Sequence, residues 1–337
     1  MAGIDLLSIE PHQVSRDLRG YSVFFFGDPK SGKTTIATKF PKHLLIAFEK
    51  GYNAIPGAMA QPINSWGEFK KVLKELKRPE VKEKFETVII DTADIAYDYC
   101  TKFILSNQGV DKVSDIPFGA GYGMISKEFD ECLRNIVQMD YGLVLISHAT
   151  DKTFTDEKGK EYNKIVPTLD KRATNVVSRM VDIIGYSRAV ELEDGTNQTM
   201  LFIRSTSRFM AGSRFKYTPD YIEFTYKNLV EAIGDALDKQ MEEDGADFFT
   251  DERSNLYKET TEALDFDALM DEFSTLINNV IASVNEDVFN DFWQPRIVEI
   301  TDKHLGKGKK VNQISRDQVE ALDLIVSDLK DLIEKNK

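Results

Sequence analysis

One eight-residue run constrains the fold of this chain more than any other feature: Gly27-Asp28-Pro29-Lys30-Ser31-Gly32-Lys33-Thr34. It follows a short apolar stretch, YSVFFF at 21–26, and precedes a helical pattern that extends to about Phe40. The glycines let the backbone curl until successive N–H groups point inward at phosphate oxygens, and the next helix adds its positive N-terminus. The run therefore predicts a phosphate-binding loop between a strand and a helix.

The same motif predicts the roles of individual residues. Lys33 is expected to contact the β and γ phosphates of a bound nucleotide, and the Thr34 hydroxyl to ligate Mg²⁺. The predicted cofactors are therefore ATP and Mg²⁺. The predicted nucleotide-binding residues are Gly27, Asp28, Pro29, Lys30, Ser31, Gly32, Lys33, Thr34 and Thr35.

Apolar strand patterns alternate with helical patterns along the first part of the chain. After the run at 21–26, similar apolar runs occur at 43–48, 87–91 and 141–147, with helical segments between them. This alternation is typical of an α/β fold with a mostly parallel sheet and helices on both faces. It predicts a P-loop NTPase core.

Later segments predict strands of a different kind. Residues 153–166 alternate around the turn DEKG, which indicates a hairpin or a mobile loop. Residues 182–192 and 198–204 are two alternating runs joined by a turn, and a helix is expected at 227–240. Together they predict an antiparallel extension of the sheet and a helix that closes the core.

The acidic residues are concentrated in one block. Residues 231–300 hold 19 of the 56 Asp and Glu residues but only 4 of the 43 Lys and Arg residues. Residues 1–230 are nearly neutral, so the acidic total does not exclude a DNA-binding surface there. We predict an ATPase core at 1–240, an acidic linker at 241–260 and a small helical C-terminal domain at 261–337.

Three further features bear on the organisation and location of the protein. Ser315-Arg316-Asp317-Gln318 has the pattern of a capping box, which predicts the start of the last helix. No stretch approaches the roughly 18 to 20 apolar residues that cross a bilayer. The two cysteines, Cys100 and Cys132, lack metal-site spacing and indicate reduced thiols. We expect a cytoplasmic protein with no membrane partner.

Three strand ends carry polar side chains that could act on a nucleotide. Asp91 ends TVIID and could hold the Mg²⁺ water shell from the neighbouring strand, or merely cap the next helix. Because Thr92 follows it, where many AAA+ ATPases carry a glutamate, the catalytic base must come from elsewhere. Glu49 could be that base if its strand lies beside the P-loop strand or one strand away. His148 ends LVLISH and could sense the γ phosphate or be structural.

Together these positions resemble the core of RecA-like recombinases. The resemblance covers about residues 20–240 and is strongest to short phage-encoded RecA-like proteins that act as ATP-dependent single-strand annealing recombinases. Two segments look particularly like them, IVPTL at 165–169 and RSTSRFMAGSR at 204–214. In that family the residue at the Glu49 position is the catalytic base. The residue at the His148 position, often Gln, couples the nucleotide state to DNA-binding loops.

The resemblance also implies two loops that bind single-stranded DNA, here at 109–123 and 150–175. Basic groups with aromatic rings suit a groove for the DNA backbone with base stacking. Both loops also contain acidic residues, and a charged loop can simply be solvated. The candidate contacts are Lys112, Phe118 and Tyr122 in the first loop and Lys152, Lys158, Lys160, Tyr162, Lys164, Lys171 and Arg172 in the second.

Three arginines lie where the family places basic residues that reach the γ phosphate of the neighbouring subunit: Arg204, Arg208 and Arg214. Such a cation would stabilise charge on the transferred phosphoryl group and make hydrolysis depend on assembly into a ring or filament. The three arginines could equally be surface charge.

The sequence leaves three functions open. The leading one is an ATP-hydrolysing, single-stranded-DNA-binding recombinase or annealing protein. It would act as a homo-oligomer in phage DNA recombination or repair in the host cytoplasm, with a single-strand-binding protein as a candidate partner. The second is a nucleotide-gated switch or helicase-loader-type interaction protein. The third is an AAA+ remodelling ATPase whose C-terminal helices form a lid, which an acidic linker disfavours because a lid must follow the core closely.

Overall fold

The computed structural model describes residue 7, residues 9–253 and residues 264–336. The chain divides into two compact units, Met1–Tyr257 and Lys258–Lys337. The first unit has two hydrophobic core clusters and the second unit has a core of its own. Within the described residues, no helix has both the length and the apolar character needed to cross a membrane.

The first unit is organised around one large sheet. The strands of the described residues are β1 Val14–Ser15, β2 Ser22–Gly27, β3 His43–Ala47, β4 Ala60–Pro62, β5 Thr87–Asp91, β6 Gly142–Thr155, β7 Glu161–Pro167, β8 Ile183–Glu191, β9 Asn197–Phe202, β10 Gly212–Ser213, β11 Tyr221–Glu223 and β12 Phe249–Thr250. The main sheet has the order β11-β9-β8-β2-β6-β5-β3-β4. The strands from β8 to β4 pair in parallel. Strands β9, β10 and β11 pair antiparallel, so the predicted sheet and its extension are confirmed.

Helices cover both faces of this sheet, as predicted. They are α1 Lys33–Ala37, α2 Trp66–Glu75, α3 Pro79–Lys84, α4 Ala93–Gln108, α5 Gly121–Gln138, α6 Lys171–Met180 and α7 Tyr226–Asp244. Successive residues of a strand point to opposite faces. Phe24 and Phe26 of β2 therefore pack in one core with α2, α4, α5 and α6. Val23 and Phe25 pack in the other core with α1 and α7.

The strand order corrects two expectations about the site. Strand β6 lies between β2 and β5, so Asp91 is not on the strand next to the phosphate loop. Both β6 and β5 lie between β2 and β3, so the strand of Glu49 is neither beside the P-loop strand nor one strand away. The carboxyl ends nevertheless meet at one edge, because Gly27 is in register with His148 and Ala47 with Asp91.

The first part of the predicted acidic linker belongs to the folded first unit. Helix α7 continues to Asp244, and β12 pairs in parallel with β1 at 249–250. Some acidic groups within the predicted linker have partners: Asp251 pairs with Arg16, and Glu243 lies 2.6 Å from the Lys216 ammonium. Residues 254–260 of that linker and 261–263 of the predicted helical domain lie outside the described residues.

The second unit is helical in its described part. Its helices are α8 Phe266–Ser283, α9 Glu286–Val288, α10 Gln294–Leu305 and α11 Val319–Lys335, with a π-helical turn at Phe289–Trp293 between α9 and α10. Leu269, Leu305, Leu322 and Ile325 are buried together in its core. The predicted capping box is present: the backbone N–H of Ser315 donates to Gln318 Oε1 at 3.3 Å.

Candidate nucleotide-binding site

The predicted phosphate loop connects β2 to α1 at the carboxyl edge of the sheet. Lys30 and Gly32 both have positive φ, 65° and 82°, which curls the backbone as the motif predicts. Gly27 must lack a side chain, because a Cβ there would lie 2.1 Å from the carbonyl oxygen of Ser187. Ser187, buried in β8, also lies 2.8 Å from the hydroxyl oxygen of Ser31. The contact between Ser187 and the loop was not predicted, because Ser187 lies in an alternating strand pattern and no sequence motif marks it.

The Lys33 side chain lies back across this loop. Its ammonium donates to the carbonyl oxygens of Gly27 at 3.0 Å and Asp28 at 2.7 Å. Burial lowers the pKa of Lys33, while the carboxylate of Asp91 acts in the opposite direction. The structure thus places one cation inside the loop whose backbone is expected to surround phosphate.

Thr34 and Asp91 join the phosphate loop to the end of β5. The Thr34 hydroxyl donates to Asp91 Oδ2 at 2.7 Å. Burial raises the pKa of Asp91 to about 6, so it remains mostly ionised at neutral pH. Asp91 does not take the helix-capping role, since the N-cap of α4 is Thr92.

Three side-chain oxygen atoms lie close to one another around Gly51. A Cβ at Gly51 would lie 3.5 Å from Glu49 Oε1, 3.7 Å from Asp91 Oδ2 and 3.8 Å from Thr34 Oγ1. Mg²⁺ prefers oxygen ligands and keeps several of its waters. The site therefore fits this ion, with Thr34 and Asp91 as the residues that would hold it. When bound, Mg²⁺ neutralises charge on the β and γ phosphates.

Glu49 and His148 face each other near this oxygen cluster. His148 Nε2 lies 4.0 Å from Glu49 Oε2, an ion-pair distance rather than a hydrogen bond. The polar contact lowers the pKa of Glu49 and raises that of His148. Glu49 reaches Asp91 because β3 stays paired with β5: the N–H groups of Phe48 and Glu49 both approach the Asp91 carbonyl, at 2.7 and 3.3 Å. The Glu49 carboxylate thus lies beside Asp91 and Thr34 at the carboxyl edge of the sheet.

A cleft of about 370 Å³ opens beside Glu49 and His148. Burial, together with the charges of Asp94 and Asp170, raises the pKa of Asp98 in this cleft. The clustered carboxylates make the cleft attractive to cations rather than to phosphate. Its lining residues are Glu49, Thr92, Asp94, Ile95, Tyr97, Asp98, His148, Thr168 and Asp170.

The three candidate arginines have different surroundings. The Arg204 guanidinium donates to the carbonyl oxygens of Thr218 and Phe215, at 3.2 and 3.1 Å. Arg214 pairs with Asp182 at 3.0 Å. The exposed Arg208 guanidinium has no hydrogen bond or ion pair within the described residues. Of the three predicted positions, Arg208 is therefore the one whose exposed guanidinium is not already bonded within the described part of its own subunit, whereas the Arg214 side chain is 59% exposed but paired.

The second predicted DNA loop is a hairpin followed by the start of α6. β6 and β7 pair antiparallel from Ala149–Pro167 to Thr155–Glu161. Lys158 and Lys160 lie at the turn, where their N–H groups donate to Asp156 Oδ1 at 2.9 and 2.8 Å. Lys171 and Arg172 are in the first turn of α6 rather than in the loop.

The first predicted DNA loop is shorter than expected. Short 3-10 turns occupy Val113–Asp115 and Pro117–Gly119, and α5 already begins at Gly121, so Tyr122 is helical. Phe118 is fully exposed, as is usual for the tip of a loop but not for a phenylalanine. The guanidinium carbon of Arg172 lies 3.9 Å from the centre of the Tyr122 ring, so the two predicted DNA segments meet here. Lys112 is exposed.

The two segments that carry the family resemblance also pack together. Ile165 N–H donates to the Arg208 carbonyl at 2.8 Å, and Met210 N–H donates to the Ile165 carbonyl at 3.0 Å. These bonds attach the segment at 204–214 to the base of the hairpin.

The fold and the phosphate loop define the class of this protein as a P-loop nucleoside-triphosphatase domain. A family model described as an AAA domain, AAA_24, matches residues 19–215, which is more than half of the chain. The chain therefore belongs to the AAA_24 family. It is also 34% identical over 339 residues to the "SPbeta prophage-derived uncharacterized protein YorG" of Bacillus subtilis (strain 168), covering 98% of this chain and 99% of that protein.

A solved structure also shows some similarity. The flagellar accessory protein FlaH from Methanocaldococcus jannaschii is 10% identical, with a TM-score of 0.32, and the match covers 57% of this chain and 78% of FlaH. The predicted P-loop ATPase class is confirmed by the family match, whereas the recombinase type stays a prediction.

Proposed function

We propose that this protein is an ATP-dependent, single-stranded-DNA-binding recombinase or annealing protein that hydrolyses ATP as an oligomer. The observation that carries the proposal is the continuity of β6. This strand pairs with β2 as far as His148, beside Glu49, and then continues to Thr155 as one arm of an exposed hairpin. The relative from a prophage supports a phage origin, and the role we propose is in phage DNA recombination or repair in the host cytoplasm.

The proposed hydrolysis uses residues that meet at the sheet edge. Glu49 accepts the proton of the water that attacks the γ phosphate, as its lowered pKa allows at neutral pH. Lys33 stabilises the negative charge of the phosphates from inside the loop. Thr34 and Asp91 would hold Mg²⁺. His148 contacts Glu49 from the strand that leads to the hairpin.

One face of the hairpin has the chemistry of a single-strand-binding surface. Residues two apart on a strand share a face, and in this register Lys152 lies opposite Lys164 and Phe154 opposite Tyr162. The two rings are partly exposed and stacked, with centroids 5.9 Å apart. Like charges directly opposite each other destabilise a strand pair, and neither ammonium has an ion pair in the described part of the chain. A bound phosphate backbone would relieve this repulsion, while the rings offer stacking for bases.

Assembly would complete the ATPase site. Arg208 is exposed and lies at the base of the hairpin, next to Ile165. In an oligomer it is the proposed cation for the γ phosphate bound by the neighbouring copy, where it would stabilise the transition-state charge. Arg204 and Arg214 instead bond to groups of their own subunit, the Thr218 carbonyl and the Asp182 carboxylate.

Replacing Lys152 and Lys164 together with Gln is expected to weaken single-stranded-DNA binding and flatten its salt dependence. Each phosphate contact that is lost means that fewer counterions are released when DNA binds. The magnitude of the slope of log K against log salt should therefore fall by about 0.7 per lysine, or about 1.4 in total. Fluorescence anisotropy of a labelled oligonucleotide at several salt concentrations measures this slope.

The matched control lies on the opposite face of the same hairpin. Thr153 and Asn163 are also a cross-strand pair, with a hydrogen bond of 3.0 Å, but carry no charge. Replacing both with Ala should leave the salt slope unchanged. An unchanged slope in the lysine variant would mean that this face does not bind the DNA backbone.

A further inference from the structure

A compact hydrogen-bond cluster surrounds the carbonyl oxygen of His148. The backbone N–H of Thr168 donates to it at 2.9 Å. The hydroxyl oxygens of Ser147 and Thr168 lie 3.2 and 3.3 Å from it. This carbonyl is the point where β6 ends its pairing with β2 and begins its pairing with β7. The His148 carbonyl, at the base of β6, thus also binds the residue that follows β7.

Asp94 lies at the centre of this cluster. Its Oδ1 atom accepts a hydrogen bond from the Thr168 hydroxyl at 2.6 Å and from the Ser147 hydroxyl at 3.1 Å. The 2.6 Å bond has the length of a charge-assisted hydrogen bond. Asp94 is in the first turn of α4, where the helix dipole favours a negative charge. It follows Asp91 by three residues, so it is attached to the end of β5 that carries the Mg²⁺ site.

Asp94 and Thr168 connect segments that the chain otherwise separates. Asp94 is on α4, directly after β5, whereas Thr168 directly follows β7, the returning strand of the hairpin. Within the described residues, Asp94 Oδ2 is buried and has no hydrogen-bond partner. All side-chain hydrogen bonds to the carboxylate are thus made at Oδ1. If the Thr168 hydroxyl were removed, the Ser147 hydroxyl would be the remaining side-chain donor.

We propose that Asp94 is a positioning residue which, through the Thr168 hydroxyl, fixes the base of the β6–β7 hairpin relative to the phosphate site and so transmits the nucleotide state to the hairpin. This inference rests on the proposed function, since it assigns the contact through which the same site regulates the hairpin. Without the contact, His148 can still face Glu49, but the returning strand is no longer tied to the end of β5.

Two substitutions at Thr168 test this contact. Thr168→Val keeps the branched shape and removes the hydroxyl, whereas Thr168→Ser keeps the hydroxyl and loses the methyl group. Thr168 is exposed, so neither change removes a large buried group and both proteins should fold. The measurement is hydrogen exchange of the backbone amides at 150–166, with and without Mg²⁺ and a non-hydrolysable ATP analogue. Amides of β6 at 142–147 are the internal reference.

In the wild type and in Thr168→Ser, the ATP analogue is expected to change exchange of the hairpin amides. In Thr168→Val this nucleotide-dependent difference should shrink by roughly 2- to 30-fold, the range of coupling effects seen for residues away from a ligand. Binding of the analogue, measured separately by fluorescence titration, should remain similar in all three proteins.

Equal nucleotide-dependent exchange in Thr168→Val and Thr168→Ser would overturn the role of Asp94 and Thr168. A wild type that binds the analogue without any change in hairpin exchange would also overturn it, while leaving the ATPase assignment intact. Failure of the wild type to bind the analogue would instead reject the proposed function itself.

Discussion

The Lys33→Ala protein is expected to fold normally and to lose ATP hydrolysis, by on the order of 10²- to 10³-fold or more, the cost of removing one transition-state contact. Lys33 is the buried cation whose ammonium lies over the carbonyl groups of the phosphate loop. An alanine leaves the β and γ phosphates without this positive charge. The burial of Lys33 disfavours its charged form, as its lowered pKa shows, so losing the lysine should not destabilise the fold.

The matched control for this prediction is Lys39→Ala. Lys39 lies six residues after Lys33, just beyond α1, and its side chain is exposed. Its loss should therefore leave hydrolysis close to the wild-type rate. Circular dichroism and thermal unfolding establish that both variants are folded. Wild-type hydrolysis by folded Lys33→Ala would contradict the assignment of the phosphate loop.

The Glu49→Gln protein is expected to bind ATP and Mg²⁺ but to hydrolyse ATP about 10²-fold more slowly or worse, within the usual effect of a general base. Glutamine keeps the shape of the side chain and a polar contact to His148, but it cannot accept the proton of the attacking water. Binding should survive because Lys33, Thr34 and Asp91 are unchanged. Nucleotide affinity and single-turnover hydrolysis, measured on the same protein, separate the two steps.

Asp98→Asn provides the control for Glu49→Gln. Asp98 is a second carboxylate of the same cleft but is not among the groups around Gly51. Neutralising it removes a similar charge without removing the proposed base, and turnover should stay within a few-fold of the wild type. If Glu49→Gln turns over as fast as Asp98→Asn, another group activates the water.

Local sequence patterns predicted those features of the fold that depend on neighbouring residues. The strand TVIID coincides with β5, and the phosphate loop lies between β2 and α1, because burial on both faces and the geometry of the loop restrict each residue in the sequence itself. The order of strands in the sheet depends on contacts between distant segments. For this reason the position of Glu49, three strands away from β2, could not be read from its own strand.

The same distinction holds for the candidate site. Asp91 and His148 were predicted because strand ends have recognisable patterns. Ser187, Gly51 and Thr168 were missed because their importance comes from partners far along the chain: Gly27, Asp91 and Asp94. Part of the predicted linker is folded for the same reason: Asp251 pairs with Arg16, more than 200 residues earlier, and β12 pairs with β1.

The most direct test of the proposed function is the rate of ATP hydrolysis by the wild-type protein at increasing concentrations of single-stranded DNA, with Lys33→Ala as the blank. The proposed route from Glu49 and His148 along β6 to the hairpin predicts that DNA increases turnover, and that duplex DNA at the same nucleotide concentration does so less. Turnover that does not respond to single-stranded DNA would contradict the proposal and favour a remodelling ATPase. Nucleotide binding without any turnover would contradict it as well and favour a nucleotide-gated switch.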